Sequence, residues 1–289
     1  MLVEEVRKKV AAIQKGEITE HLIYEKLSRA IKDSHNKEVL SHISQDELRH
    51  YNLWKQFTNQ EEKPNWMRVL VYYIISRMLG LTFGIKLMER GEGRAQIMYW
   101  DIGQILPEAL DISKEEDEHE YELIKMINEE RLNYIGSIIL GLNDALVELS
   151  GALAGFTLAL QNSRLVAMAG LITGIAASLS MGSTGYLASK SEGSGKAPLK
   201  SAMYTGITYI FTVLFLTFPY LLLTNVVIAL AVMIFNAVII IMVFNFYISV
   251  AEDLPFWKRF SEMALLSLGI AAVSFGIGFL VRGLLGVDI

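Results

Sequence analysis

Residues 225–250, NVVIALAVMIFNAVIIIMVFNFYISV, contain no charged side chain. A helix needs about 20 apolar residues to cross the hydrocarbon core of a bilayer, and this run is long enough. Four more stretches of the same kind surround it: Tyr134–Leu160, Leu165–Ser189, Ala202–Leu223 and Phe260–Leu285. Any one of them alone could be a buried helix of a soluble protein. Five in series with short connections predict a five-helix transmembrane domain over residues 133–289.

The rest of the chain differs in kind. Of the 26 basic and 31 acidic residues, 19 and 24 lie before residue 135, as do all five histidines, His21, His35, His42, His50 and His119. Residues 1–132 therefore read as a separate, water-soluble domain. The start, MLVEEVRKKV, is charged, so no secretory signal is expected. A formal net charge of -5 argues against binding nucleic acid through its phosphates. With no cysteine in 289 residues, disulfides, thiolate metal sites, iron–sulfur clusters and cysteine nucleophiles are excluded. Basic residues gather in two linkers of the apolar half, Lys190–Lys200 and Ala251–Arg259. The positive-inside rule then places the N-terminal domain in the cytoplasm and the C-terminus outside.

Apolar spacing in the first part is helical over Glu17–Lys32, Lys37–Thr58, Trp66–Trp100 and a segment ending near Leu132. The stretch Val69–Leu87 is apolar enough to resemble a span, but Arg77 and Lys86 interrupt it, and it reads as a bundle or interface helix. A four-helix bundle is the economical arrangement, giving an all-α protein throughout. Two tetrapeptides carry metal-type spacing: Glu47-Leu-Arg-His50 and Glu116-Asp-Glu-His119. Residues three apart share a helix face, so each pair can grip one side of an ion. Glu17 and Glu92 each stand seven residues before a tyrosine, Tyr24 and Tyr99, in what reads as an internal repeat. The order Glu, Glu-x-x-His, Glu, Glu-x-x-His is that of di-iron carboxylate bundles. Glu20 competes with Glu17, and Glu89 with Glu92, because each is three residues from its rival. Ser113 and Glu116 also fit a capping box, and Glu115–Glu118 also fits a solvated acidic face. His21, His35 and His42 have no partner pattern and read as surface or structural.

In the apolar half, Asp144 and Glu148 sit four apart within GLNDALVELSG and share one helix face. Intramembrane charge tends to mark function, so the pair can bind a divalent cation or carry protons. Asp144 also fits a headgroup position near a helix end. Met181, in SLSM, is a soft ligand suited to transition metals, and equally a packing residue. Asn236 and Asn245 fit either the same path or bonds between helices. The spacings Gly151-x-x-x-Gly155 and Gly170-x-x-x-Gly174 predict close helix packing.

On Glu17…Tyr24, Glu47-x-x-His50, Glu92…Tyr99 and Glu116-x-x-His119, residues 1–132 resemble the erythrin (rubrerythrin-like) branch of the ferritin-like superfamily. On GLNDALVE and SLSM, residues 134–289 resemble the vacuolar iron transporter family. The combination resembles the membrane-bound ferritins of prokaryotes. The resemblance implies a multi-pass protein of a prokaryotic cell membrane, and export of Fe2+, often also Mn2+, in exchange for protons. It implies a homodimer with the pathway near the subunit interface, and pore positions at Asp144 and Met181. The expected cofactor is iron in a di-iron site held by Glu17, Glu47, His50, Glu92, Glu116 and His119, with Glu89 beside Glu92 and manganese as the alternative metal. The alternative function is a membrane-tethered ferroxidase or peroxidase whose spans are an anchor. There are departures. Gly185 stands where many members carry a glutamate, and Glu148 is the candidate substitute. The linker Lys190–Lys200 is too short for the usual cytoplasmic insertion. Without cysteine there is no rubredoxin module to feed electrons.

Overall fold

The computed structural model describes residues 4–90, 102–103, 109–116, 133–192 and 197–285. Every regular element among them is a helix. The chain divides into two compact units, Met1–Glu129 and Glu130–Ile289.

The first unit begins with α1 (Glu4–Ala30) and α2 (Ser34–Thr58). They pair antiparallel: Gln14 meets Thr58, Glu17 meets Trp54 and His21 meets Ser44. The turn between them is closed by Asp33, whose side chain accepts from Asn36 N at 2.8 Å and caps α2. Asn59 ends α2 in the left-handed conformation, which asparagine tolerates. α1 starts well before the predicted Glu17. Val6, Val10 and Ile13 form an apolar stripe among the charges and pack with Trp54, Ile102, Ala109 and Ile112. A second core joins Ile23, Tyr24, Leu27, Leu40 and Ile43 to Val69, Ile85 and Met88.

The predicted single helix Trp66–Trp100 is corrected. α3 (Trp66–Leu79) stops at Gly80 and α4 (Leu81–Glu89) starts anew. Gly80 has φ 115° and ψ 150°, a backbone state that a residue with a Cβ rarely adopts. The corner is tight: a Cβ on Gly84 would stand 2.8 Å from Ser76 Cα. The segment 91–100 lies outside the described residues. α3 turns Trp66, Met67, Leu70, Ile74 and Met78 outward.

The second unit holds α5 (Ile135–Leu160), α6 (Ser163–Glu192), α7 (Pro198–Leu222), α8 (Val226–Ala251) and α9 (Phe256–Leu285). Each matches a predicted span to within a few residues and is long and apolar enough to cross a membrane. At about 1.5 Å per residue, each exceeds the hydrocarbon thickness of about 30 Å. α5 is the hub and packs against all four others. Its buried stripe is Leu142, Ala145, Leu146, Leu149 and Leu153. α8 and α9 expose most of their apolar surface, as lipid-facing helices do. The two glycine pairs serve packing. Gly155 lies so close to α9 that a Cβ there would meet Ser274 O at 3.0 Å, and Gly174 lies against Val213 of α7. Asn236 donates to Phe215 O of α7 at 3.3 Å, whereas Asn245 donates to Ile241 O of its own helix at 2.8 Å.

Candidate metal centres in the two units

In the first unit, three helical segments bring four side chains to one point. α1 supplies Glu17, α2 supplies Glu47 and His50, and the helical segment 109–116 supplies Glu116. One ligand atom from each lies within 4.8 Å of the others. Metal–ligand bonds are on the order of 2 Å, so donors this close can converge on one ion or bridge two. Glu17, Glu47 and His50 are each at most 3% exposed. His50 Nδ1 faces Glu116 Oε1 at 2.7 Å and Glu17 Oε2 at 3.6 Å. Trp54, four residues after His50 on the same face of α2, donates its indole N–H to Glu17 Oε1 at 3.1 Å.

This cluster is costly without a cation, because like charges are gathered away from water. The protonation states show the cost. Burial, then the charges of Glu116, Glu17 and Glu20, push the Glu47 carboxyl well above the usual carboxylate range. Burial would lower the His50 pKa, but the carboxylates of Glu116 and Glu17 beside Nδ1 override it and raise the imidazole to about 10. A cation bound among these groups would displace such protons. Three carboxylates and an imidazole form a hard-to-borderline donor set that fits iron or manganese.

Glu17 is in the cluster, while Glu20 acts on it from the next turn through its charge. Glu92, His119 and the side chain of Glu89 lie outside the described residues. Sequence reasoning placed Glu115 only in a solvated acidic run and passed over Arg49 and Trp54. Glu115 Oε2 accepts from His50 Nε2 at 3.1 Å and from Arg49 Nη2 at 2.7 Å. Trp54 had left a signal: positions 47, 50 and 54 share a helix face. Of the histidines without a predicted partner, His21 Nδ1 lies 2.6 Å from Ser44 O and joins α1 to α2. His42 pairs with Asp46 on the surface of α2.

In the second unit, Asp144 and Glu148 lie one turn apart on α5. Glu148 is exposed near the middle of the span, and Asp144 is half-buried. Tyr209 of α7, fully buried, donates its phenol O–H to Glu148 Oε2 at 2.8 Å. Tyr209 belongs to a polar row that α7 turns toward α5. Above it, Ser201 bonds Ser137 Oγ at 2.7 Å and Thr205 donates to Ser137 O at 3.1 Å. The row repeats every four residues, at 201, 205 and 209, a helical spacing that sequence reasoning did not use. Met181, on α6, packs half-buried against the apolar core of this unit. The glycine at 185 has a physical reason. A Cβ there would approach Thr205 Oγ1 to 2.9 Å, so a larger side chain would push α6 away from α7.

Residues 135–194 match the VIT family. The matched segment covers α5 and α6, and with them Asp144, Glu148 and Met181. None of the curated proteins matches the chain. A VIT-family segment within five apolar helices points to a multi-pass membrane protein that transports a metal, iron or manganese.

Proposed function

We propose that this protein moves divalent transition-metal ions, Fe2+ first and Mn2+ second, out of the cytoplasm through α5–α9 in exchange for protons. The N-terminal unit binds iron in a di-metal carboxylate site and captures, senses or oxidises it for the membrane unit. The observation that carries the reading is the overlap of the VIT-family segment with the helix bearing Asp144 and Glu148. An ionisable pair at the middle of a span is expensive unless it handles an ion. Asp144 and Glu148 replace the water that a divalent cation loses on entering the membrane. Tyr209 steadies Glu148 in that task. Met181, one helix away, favours transition metals over Mg2+ and Ca2+. A proton taken up by either carboxylate weakens its hold on the metal, which supplies the coupling.

Two further features belong to this reading. The exposed Glu148 on the outside of α5 needs water or protein rather than lipid beside it, which supports a homodimer with the path between subunits. The basic linkers around α6–α7 and α8–α9 support a cytoplasmic N-terminal unit. In that unit the buried Glu17, Glu47 and His50, with the half-buried Glu116, would hold the metal, and bound iron would supply redox chemistry. Trp54 orients Glu17, and the cluster gives up protons as the cation enters.

The test is metal flux. Purified protein in vesicles, loaded with a metal-sensitive dye, should transport Fe2+ and Mn2+ under an imposed pH gradient. Asp144→Asn should abolish that flux and leave metal binding by the N-terminal unit intact. Flux that survives Asp144→Asn would refute the path assigned here. Absence of flux in the intact protein under either gradient would favour the tethered oxidase instead.

A further inference from the structure

The four donors of the N-terminal cluster do not hold themselves in place. His50 is 2% exposed and its ring has two distinct edges. Nδ1 points at Glu116 and Glu17. Nε2 points the other way, to Glu115 Oε2 at 3.1 Å. Glu115 sits at the rim, 41% exposed, and is gripped from outside by Arg49 at 2.7 Å. Arg49 is in turn tied to Asp46 of its own helix at 3.1 Å. The chain Asp46–Arg49–Glu115–His50 thus runs from the surface to the buried cluster and links α2 to the segment 109–116.

An ionised carboxylate has acceptors only, so the atom facing Glu115 is an Nε2–H donor. A neutral ring with its proton on Nε2 presents a lone pair on Nδ1, the edge that faces the carboxylate cluster. Turning the ring over would place a carbon against Glu116 and forfeit the bond to Glu115. We infer that Glu115 is a positioning residue for the N-terminal metal site: it holds the His50 imidazole in the tautomer and orientation that offer Nδ1 to a cation, and Arg49 holds Glu115. The inference rests on the reading of this cluster as a metal site. It gives Glu115 and Glu116, adjacent in the chain, different tasks, one outside the ring and one at the metal. An outer carboxylate that accepts from a ligating histidine contributes about 10–100-fold to metal affinity in sites of this kind.

The experiment uses the full-length protein in detergent, titrated with Mn2+ and followed by the electron paramagnetic resonance of the free ion. Co2+ absorption is read alongside. Glu115→Ala should weaken Mn2+ binding about 10–100-fold without changing the number of sites or the Co2+ bands, because no ligand is lost. Glu115→Gln keeps an oxygen that can accept from Nε2–H and should recover most of the affinity. His50→Ala should change the Co2+ bands and abolish tight binding. Unchanged Mn2+ affinity in Glu115→Ala, with binding lost in His50→Ala, would overturn the positioning role. A changed Co2+ spectrum in Glu115→Ala would also overturn it, by making Glu115 a ligand. If His50→Ala binds Mn2+ like the parent protein, the metal reading of the cluster itself fails.

Discussion

Both units place carboxylates where water is scarce, yet they treat them differently. In the N-terminal unit, Glu17, Glu47 and Glu116 come from three helical segments and converge with His50 into a cluster that is buried except at Glu116. Two of the four are braced from behind: Trp54 donates to Glu17, and Glu115 faces His50. In the membrane unit, Asp144 and Glu148 come from one helix, one of them exposed, with Tyr209 bonded to Glu148. Convergence from several helices makes a site that holds a cation. A pair on one helix face makes a site that a cation can reach and leave. Under the proposed function, the contrast would give retention to the first unit and passage to the second, and four substitutions test it.

The largest effect is expected at Asp144. Asp144→Asn keeps the shape of the side chain but removes the charge, and metal flux in vesicles should fall to background. Next is Glu47. Glu47→Gln should abolish high-affinity metal binding, read by titration calorimetry. It should also raise the melting temperature of the metal-free protein, because a buried carboxyl crowded by Glu116 and Glu17 is replaced by an uncharged amide. A lower melting temperature would show that the cluster is not strained. Third, Gly185→Glu would restore the acidic side chain common among the vacuolar iron transporters that this unit resembles, but against Thr205. Overpacking of this kind costs about 1–3 kcal/mol, visible as earlier thermal unfolding in detergent. Unaltered unfolding would mean that α6 and α7 can part freely. The smallest effect is expected for Trp54→Phe, which deletes the bond to Glu17 and keeps the ring in the core. Hydrogen bonds to charged groups contribute about 1.5–3 kcal/mol. Part of this is regained by relaxation of Glu17, so metal affinity should drop by about tenfold or less.

The membrane helices were legible because their signal is one-dimensional: length and absence of charge suffice, and α5–α9 fall on the predicted stretches. The pairing of Glu47 with His50 was legible for a similar reason, since both lie on one turn of one helix. What escaped depends on contacts between helices or on backbone geometry. The break at Gly80 lies in an apolar run whose periodicity continues past it, and glycine alone does not mark a corner. Its cause is the approach of Gly84 to Ser76 across the turn. The first turns of α1 escaped because Val6, Val10 and Ile13 are diluted by charges, although they reach Trp54 and Ile112. Spacing could not separate Glu17 from Glu20, which lie nearly on one face. The indole of Trp54 separates them in space. Glu115 looked like one more member of an acidic run until His50 and Arg49 were seen against it.

The central claim is that holding and passing metal are separate tasks of separate carboxylates. The most direct measurement compares Mn2+ flux into vesicles and Mn2+ binding, in one preparation, for the parent protein, Glu47→Gln and Asp144→Asn. The account predicts that Asp144→Asn loses flux and keeps tight binding, while Glu47→Gln loses tight binding and still conducts when Mn2+ is supplied at high concentration. Loss of both properties in both variants would contradict it and make the two sites one machine. Flux retained in Asp144→Asn would contradict it at the membrane.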